Sequence, residues 1–546
     1  MMRFKSIITI QLLVLFFLNK TLLSQVSNSN YAASSFLLNE ISEDVDRFYL
    51  KNQSDKFHSS LKPFNNVSIS AYSDSLLKNH NRFIGNEGIE LFRSKGAVDG
   101  NSISVLPIAD LYSGYDVLYG KSILESTAGM SVLGNLGRTF SFVFSAYGSN
   151  LQAPNFTDTI IKEFGIMPGN GIAYNQRSSS NDQGSSTFYS FANFAGKVSW
   201  SPNPFTNLEL GKDKFFIGDG YRSLLLSDVS NNYPYFKTSL TFWKIKYDFW
   251  ASWMQDVSQS NGFKNNFLNK FGAFHYLSWN TTKWLSISLF ENVVWQGTDS
   301  NRVRNFDVNY LNPILFFRPV EYSLGSSDNA MIGLNVSIKP SKNFKIYSQL
   351  VMDEFLLKEV KSRKGWWANK QGVQAGFLYY DFLQVKDLNL RLEYNWVRPY
   401  TYTHGSPQQS YTHFNQPLAH PLGANFYEVV SAVNYKHKKF RLELKGVYAL
   451  IGKDTAGVSS SNIGQNIFIS YLSRPYDYGH KTTQGIKTTL IQGELKLTYY
   501  VFPKINMRVE LGFIQRSFQN ELGFIRETPF VYFGLRTGLF NRYRDY

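Results

Sequence analysis

Three groups of residues in this chain have types and spacings that could do chemistry. Gly211–Arg222 packs Lys212, Asp213, Lys214, Asp219, Tyr221 and Arg222 among three glycines. A phosphate-cradling loop needs a strand before it and a helix after it. Here Ser223–Asp228 and then an aromatic strand pattern follow, so the nucleotide reading fails. We read Lys212, Asp213, Asp219, Tyr221 and Arg222 as a tight turn whose ion pairs shape an interior, with ligand contact as the other possibility. His404, His413 and His420 share the stretch Thr403–Glu428 with Glu428 and three prolines. A metal site wants imidazoles at i,i+4 on a helix or at alternate strand positions, and these are spread along a loop. We expect no metal, and assign His404 and His413 to a hydrogen-bonded or glycan-facing loop. Trp366 and Trp367 stand beside Lys361, Arg363, Lys364 and Lys370. Indole faces stack on sugars and cations hold acidic groups, so Arg363, Lys364, Trp366 and Trp367 are candidates for polysaccharide binding. On a strand, adjacent side chains point to opposite faces, and only one indole would then serve; an interfacial aromatic girdle is the competing reading.

No chemistry beyond binding is indicated. The sequence has no Gly-x-Ser-x-Gly elbow and no His-Glu-x-x-His pair, so we expect a protein that is not an enzyme and carries no cofactor. With no cysteine, lipoprotein anchoring, disulfides and thiolate metal sites are excluded.

The elements that must position these residues follow from periodicity. Met1–Lys5 carries Arg3 and Lys5, an apolar run covers Ile7–Leu18, and small and polar residues follow to Gln25. This is the layout of a secretory signal peptide, assigned to residues 1–24; the apolar run is too short to span a bilayer as a helix. Within residues 25–97, Phe36–Ile41, Val45, Phe48 and Tyr49 fall at helical spacing, which predicts a small periplasmic helical segment before a barrel over 98–546.

From about residue 98 the period becomes two. Ile491, Leu495, Leu497 and Tyr499 alternate with Gln492, Glu494, Lys496 and Thr498, and Leu390, Leu392, Tyr394 and Trp396 alternate with Arg391, Glu393 and Asn395. Met507, Val509, Leu511 and Phe513 face away from Arg508 and Glu510. Leu442 and Leu444 alternate with Arg441, Glu443 and Lys445, and a last strand sets Val531, Phe533, Leu535, Thr537 and Leu539 opposite Arg536. Clean apolar faces beside faces bearing both signs of charge, with 16% aromatic residues, describe an all-β membrane protein: an antiparallel outer-membrane β-barrel of roughly 16–18 strands. Phe156–Phe164, closed by Gly165, reads as a short helix on a connection, and 177–186 and 457–465 as long outward loops. The net charge of +15 favours anionic partners. In an exported chain these are lipopolysaccharide, outer-membrane lipids or acidic polysaccharide, not nucleic acid, although internal ion pairs would use the same residues.

The stretches Gly211–Asp228, His275–Glu291, Asp353–Gly372 and Tyr411–Glu428, with Tyr310–Pro313, resemble the RemB-type gliding-motility proteins, Bacteroidota members of the Wzi-type capsule-assembly family. The strings are spread over most of the barrel region. The resemblance implies a barrel with a periplasmic helical element that binds or organises capsular or other surface polysaccharide, in support of capsule attachment or of gliding with its machinery and adhesins. It supplies no sugar-binding residue. The alternative from the strand patterns alone is a porin-like channel, since lumen faces of mixed charge suit a lined pore as well as a closed one.

Overall fold

The computed structural model describes residues 39–545, except 65–68, 70–92, 96–100, 138, 177–187, 259, 261–263, 300–301, 304, 312–327, 355, 456–461, 504–505 and 539. The expected signal peptide and Phe36 to Leu38 of the expected helix lie outside these residues. Eighteen long strands form one closed antiparallel barrel. They are β1 Ser102–Asp116, β2 Lys121–Leu136, β3 Phe140–Gln152, β4 Phe188–Asn203, β5 Thr206–Asp213, β6 Tyr233–Phe242, β7 Ile245–Asp256, β8 Leu268–Trp279 and β9 Leu285–Gln296. The second half comprises β10 Asn329–Ile338, β11 Phe344–Glu354, β12 Lys370–Tyr379, β13 Leu388–Val397, β14 Phe426–His437, β15 Phe440–Lys453, β16 Ile486–Phe502, β17 Met507–Asn520 and β18 Ile525–Arg536. The barrel closes where β18 pairs with β1, Tyr532 opposite Gly114 and Arg536 opposite Asp110. Closure gives the backbone N–H and C=O groups along the wall partners in neighbouring strands, which a sheet in lipid requires. Among the described residues no helix is long and apolar enough to cross a membrane.

Alternation along each strand sorts side chains between outside and lumen. In β13, Leu392 and Tyr394 are 42% and 41% exposed on the outer wall, whereas Arg391, Glu393 and Asn395 are buried inside. In β16, Ile491, Leu495, Leu497 and Tyr499 face out while Gln492 and Thr498 are buried. Two residues depart from the expected faces. Met507 is buried rather than outward, beside the register irregularity between Tyr500 and Phe502. The last strand ends at Arg536; Thr537 leaves the wall and is buried, its hydroxyl accepting from Ala109 N at 3.2 Å. Leu539 lies outside the described residues.

The connections divide the barrel into two ends. At one end they are tight, as at 204–205, 243–244 and 438–439. At the other most are long: 153–187, 214–232, 297–328, 355–369, 398–425 and 454–485. Connection 153–187 contains α2, Asn155–Phe164, ended by Gly165 at φ 70°, whose N–H donates to Ile161 O at 2.8 Å. Glycine takes this left-handed turn without a Cβ penalty.

Helix α1, Asn39–Lys51, lies across the short-turn end. Val45, Phe48 and Tyr49, at i, i+3 and i+4, form its apolar face with Phe57 and Phe64, and Tyr49 stacks on Phe57 at 4.0 Å. Its polar face is fixed to the wall: Arg47 pairs with Asp381 and Asp387, Asp46 with Lys345, Glu43 with Arg391 at 2.7 Å and Glu40 with Arg508 at 3.2 Å. The chain then enters the lumen, where Leu61–Lys62 pair with Phe216–Ile217 of connection 214–232.

Candidate functional site

Gly211–Asp228 leaves the wall at Asp213 and runs into the barrel. Its glycines are needed where backbone passes against other groups: a Cβ on Gly218, at φ 127°, would stand 2.4 Å from Gln349 Nε2, and one on Gly220 2.5 Å from Glu393 Oε2. Leu224, Leu225 and Leu226 are fully buried in an interior cluster with Trp250, Phe274 and Tyr411. Connection 398–425 folds in against them: Tyr402 and Tyr411 donate their hydroxyls to the carbonyls of Leu224 and Leu225 at 2.8 and 2.7 Å.

The charged residues of this stretch are held in pairs. Arg222, 1% exposed, reaches Glu428 at 3.1 Å and Asp545 at 3.2 Å. Asp545 also accepts from Lys445 at 2.9 Å and from the Tyr221 hydroxyl at 2.6 Å. Asp219 accepts from Ser59 Oγ at 2.6 Å and Lys345 at 3.1 Å. Burial alone would push the Asp219 and Asp545 carboxyls up. Lys345 and Lys62 around the first, and Arg222 and Lys445 around the second, outweigh it and hold both well below the usual carboxylate range. The lumen thus contains a network of desolvated ion pairs joining the wall, connection 214–232, α1 and the 537–545 tail.

Lys212 and Asp213 part from the other three residues of their motif. Being adjacent on β5, they point to opposite faces, Asp213 inward with Glu209 and Lys212 toward the outer rim.

The three histidines do not assemble, and among the described residues no cluster of three or more His, Cys, Asp or Glu could hold a metal ion. His420 Nδ1 accepts from Leu422 N at 3.2 Å, which leaves Nε2–H to donate to Glu428 at 2.7 Å. His404 accepts from Ser406 N at 3.2 Å, and His413 Nδ1 from Gln255 N at 3.1 Å. His404 and His413 are buried inside connection 398–425 instead of lying on an open glycan-facing loop. Burial lowers their pKa values to about 4 and about 3, so both rings are neutral.

Trp366 and Trp367 lie in connection 355–369, not on a strand as considered from sequence, so alternation does not separate them. Within this connection α3, Leu357–Ser362, ends at Arg363 in the left-handed conformation. The following residues are bound to connection 454–485: Trp367 N donates to Asp477 O, Gly479 N to Lys364 O and His480 N to Gly365 O, each at 2.9 Å. Arg474 stacks on the Trp367 ring at 4.0 Å, and Tyr471 meets it at 4.7 Å. Tyr476 and Tyr478 are 47% and 48% exposed beside them. Arg363 and Lys364 are exposed and have no ion-pair partner among the described residues. The result is a half-exposed aromatic surface with free positive charge, built from two connections about a hundred residues apart in sequence. Sequence reasoning missed Tyr471, Arg474, Tyr476 and Tyr478; the run of three tyrosines around Arg474 within one loop was the available signal.

Several solved outer-membrane proteins align with this chain. Wzi, described as an outer membrane protein involved in group 1 capsule assembly in Escherichia coli and as a carbohydrate-binding β-barrel, aligns with a TM-score of 0.55 over 92% of this chain and 98% of that one, at 13% identity. The fold is similar to that of Wzi. OprD of Pseudomonas aeruginosa aligns over 83% of this chain and 98% of that one at 12% identity with a TM-score of 0.40. OpdK of the same organism, solved with vanillate, aligns over 80% and 98% at 9% identity with a TM-score of 0.42. No family model and no curated protein sequence matches the chain. The protein is an 18-stranded antiparallel barrel of the outer-membrane type.

Proposed function

We propose that this barrel is a non-catalytic surface protein that binds cell-surface polysaccharide and helps to hold or organise it. The observation that carries the reading is the surface of Trp366, Trp367, Tyr476 and Tyr478 with unpaired Arg363 and Lys364, all at the end with long connections. Aromatic faces supply flat apolar area for pyranose rings, and the cations match acidic sugars. Long connections of outer-membrane barrels face the exterior and short turns the periplasm. In that orientation α1 lies on the periplasmic side and the Trp366 surface faces the polysaccharide layer and lipopolysaccharide. The likeness to Wzi, itself described as carbohydrate-binding, agrees with this reading. The resemblance to RemB-type proteins extends it to a role in gliding in a Bacteroidota cell, in which bound polysaccharide links the barrel to surface adhesins.

The channel reading is disfavoured by the buried, paired charges inside the lumen. Pull-down of purified surface polysaccharide by the full-length barrel, together with a deletion strain scored for capsule retention and colony spreading, tests the proposal. Retained polysaccharide and a strain that loses capsule or spreading are expected. No retention by the barrel, with unchanged surface polysaccharide in the deletion strain, overturns it.

A further inference from the structure

A cleft of about 380 Å³ opens at the rim with long connections, lined by none of the residues of the Trp366 surface. Its floor is the upper edge of β5 to β8, where Lys212, Gln255 and Asn269 stand. Connection 297–328 forms its outer wall through Asn305 and Phe306, and Phe306 stacks on Trp253 at 5.0 Å with ring planes 17° apart. On the inner side His413 and Phe414 close it from connection 398–425. Lys212 and His413, which the sequence suggested for unrelated roles, therefore meet in one cavity.

The polar groups of this cleft contrast with those of the lumen. Among the described residues, the Lys212 ammonium and the side-chain amides of Gln255, Asn269 and Asn305 have no hydrogen-bond partner. None of the lining residues is Asp or Glu. Lys264, from the neighbouring connection 257–267, adds a second positive charge acting on Lys212. His413 is held by Gln255 N and Asn232 O, so it backs the cleft and fixes connection 398–425 there. Ligand sites have this makeup: apolar and aromatic walls, a few convergent polar groups, and a volume of about 300–1,000 Å³.

We infer that this rim cleft binds an anionic pyranose, with the sugar ring against Trp253 and Phe306, its hydroxyls on the Gln255, Asn269 and Asn305 amides, and its acidic group on Lys212. The amides offer both donors and acceptors, as vicinal hydroxyls require, and an ammonium beside them selects a carboxylate or phosphate over a neutral sugar. The inference rests on the polysaccharide reading for its biological sense, but it names a separate subsite and its charge preference. The acidic unit would come either from a uronate of the surface polysaccharide or from a phosphorylated glucosamine of the lipid headgroup.

The test is calorimetric titration of the full-length barrel in detergent with trigalacturonate, glucosamine 1-phosphate and maltotriose. Wild type, Lys212→Gln and Phe306→Ala are compared, each first shown to be folded by its heat-modifiable gel mobility. Wild type is expected to prefer one or both acidic probes over maltotriose, and the better of the two identifies the source. Lys212→Gln should weaken the acidic probes at least about tenfold and leave maltotriose unchanged, whereas Phe306→Ala should weaken all that bind. Acidic binding that survives Lys212→Gln intact, or no binding of either acidic probe to wild type, overturns the cleft. If polysaccharide is still retained through the Trp366 surface in that case, the proposed function stands without it; if neither is seen, both fail.

Discussion

Arg222 in the lumen and Arg363 at the rim are the same side chain in opposite circumstances. Arg222 is 1% exposed, bound to Glu428 and Asp545. Arg363 is exposed at the end of α3 and has no ion-pair partner among the described residues. The contrast extends to their neighbours: Lys345, Arg391, Lys445 and Arg508 are paired inside, whereas Lys364 and Lys212 stand free at the rim. Desolvating an ion pair costs about as much as its attraction returns, so the lumen network specifies how the plug sits more than it stabilises the barrel. Free charge beside aromatic faces at the rim has no such internal role, and it is there that a ligand would complete the pairing.

The largest effect is expected at Arg222. Arg222→Met leaves Glu428 buried without its guanidinium and Asp545 with Lys445 as its remaining cation, and the expected loss is about 3–5 kcal/mol. It would be seen as a lower melting temperature of the purified barrel and as the onset of ion current in planar bilayers, where wild type is expected to be silent. A variant that melts with wild type would show that the lumen network does not hold the plug. Next in size is Trp367→Ala, which removes the ring shared by Tyr471 and Arg474. It should cost about 2 kcal/mol or more of polysaccharide binding, as a central aromatic anchor does, with the barrel still folded by gel mobility.

A graded effect follows from pH. His404 and His413 are neutral in the folded chain, with pKa values of about 4 and about 3, against about 6.5 for a free imidazole. The unfolded chain therefore takes up protons first, so their contribution is complete above pH about 6.5 and is lost as pH falls toward 4 and 3. Asp545, held below the usual range by Arg222 and Lys445 against the effect of burial, adds a loss that begins near pH about 4. Thermal melts from pH 7 down to 4 should fall steadily, and His404→Gln should flatten the upper part of that slope. The smallest effect belongs to Arg363→Ala with Lys364→Ala. Stability should stay within about 0.5 kcal/mol of wild type, while polysaccharide binding becomes weaker and less sensitive to salt.

The wall of the barrel was legible in the sequence because side-chain period and burial are directly linked in a strand. Arg391, Glu393 and Asn395 could be placed inside by alternation alone, and the estimate of 16–18 strands included the eighteen found. The helix expected over Phe156–Phe164 was legible too, with Gly165 marking its end, and it is found over Asn155–Phe164. The plug was not. Its contacts join residues far apart in sequence, such as Arg222 with Asp545 and Lys345 with Asp46, and a loop that folds inward has no composition distinct from one that folds outward. The strand alternation considered for Trp366 and Trp367 failed because it was applied to a connection. The glycan-facing role considered for His404 and His413 did not anticipate that connection 398–425 turns into the barrel. Lys212 was grouped with Asp219 and Arg222 by proximity in the chain, although one step along β5 sends it to the other side of the wall.

Retention of purified surface polysaccharide by the full-length barrel, compared between wild type and the Trp366→Ala, Trp367→Ala double variant at equal folded protein, tests the central claim most directly. Strong retention by wild type that falls at least about tenfold in the variant is the predicted result. Equal retention by both, or none by wild type, would contradict it.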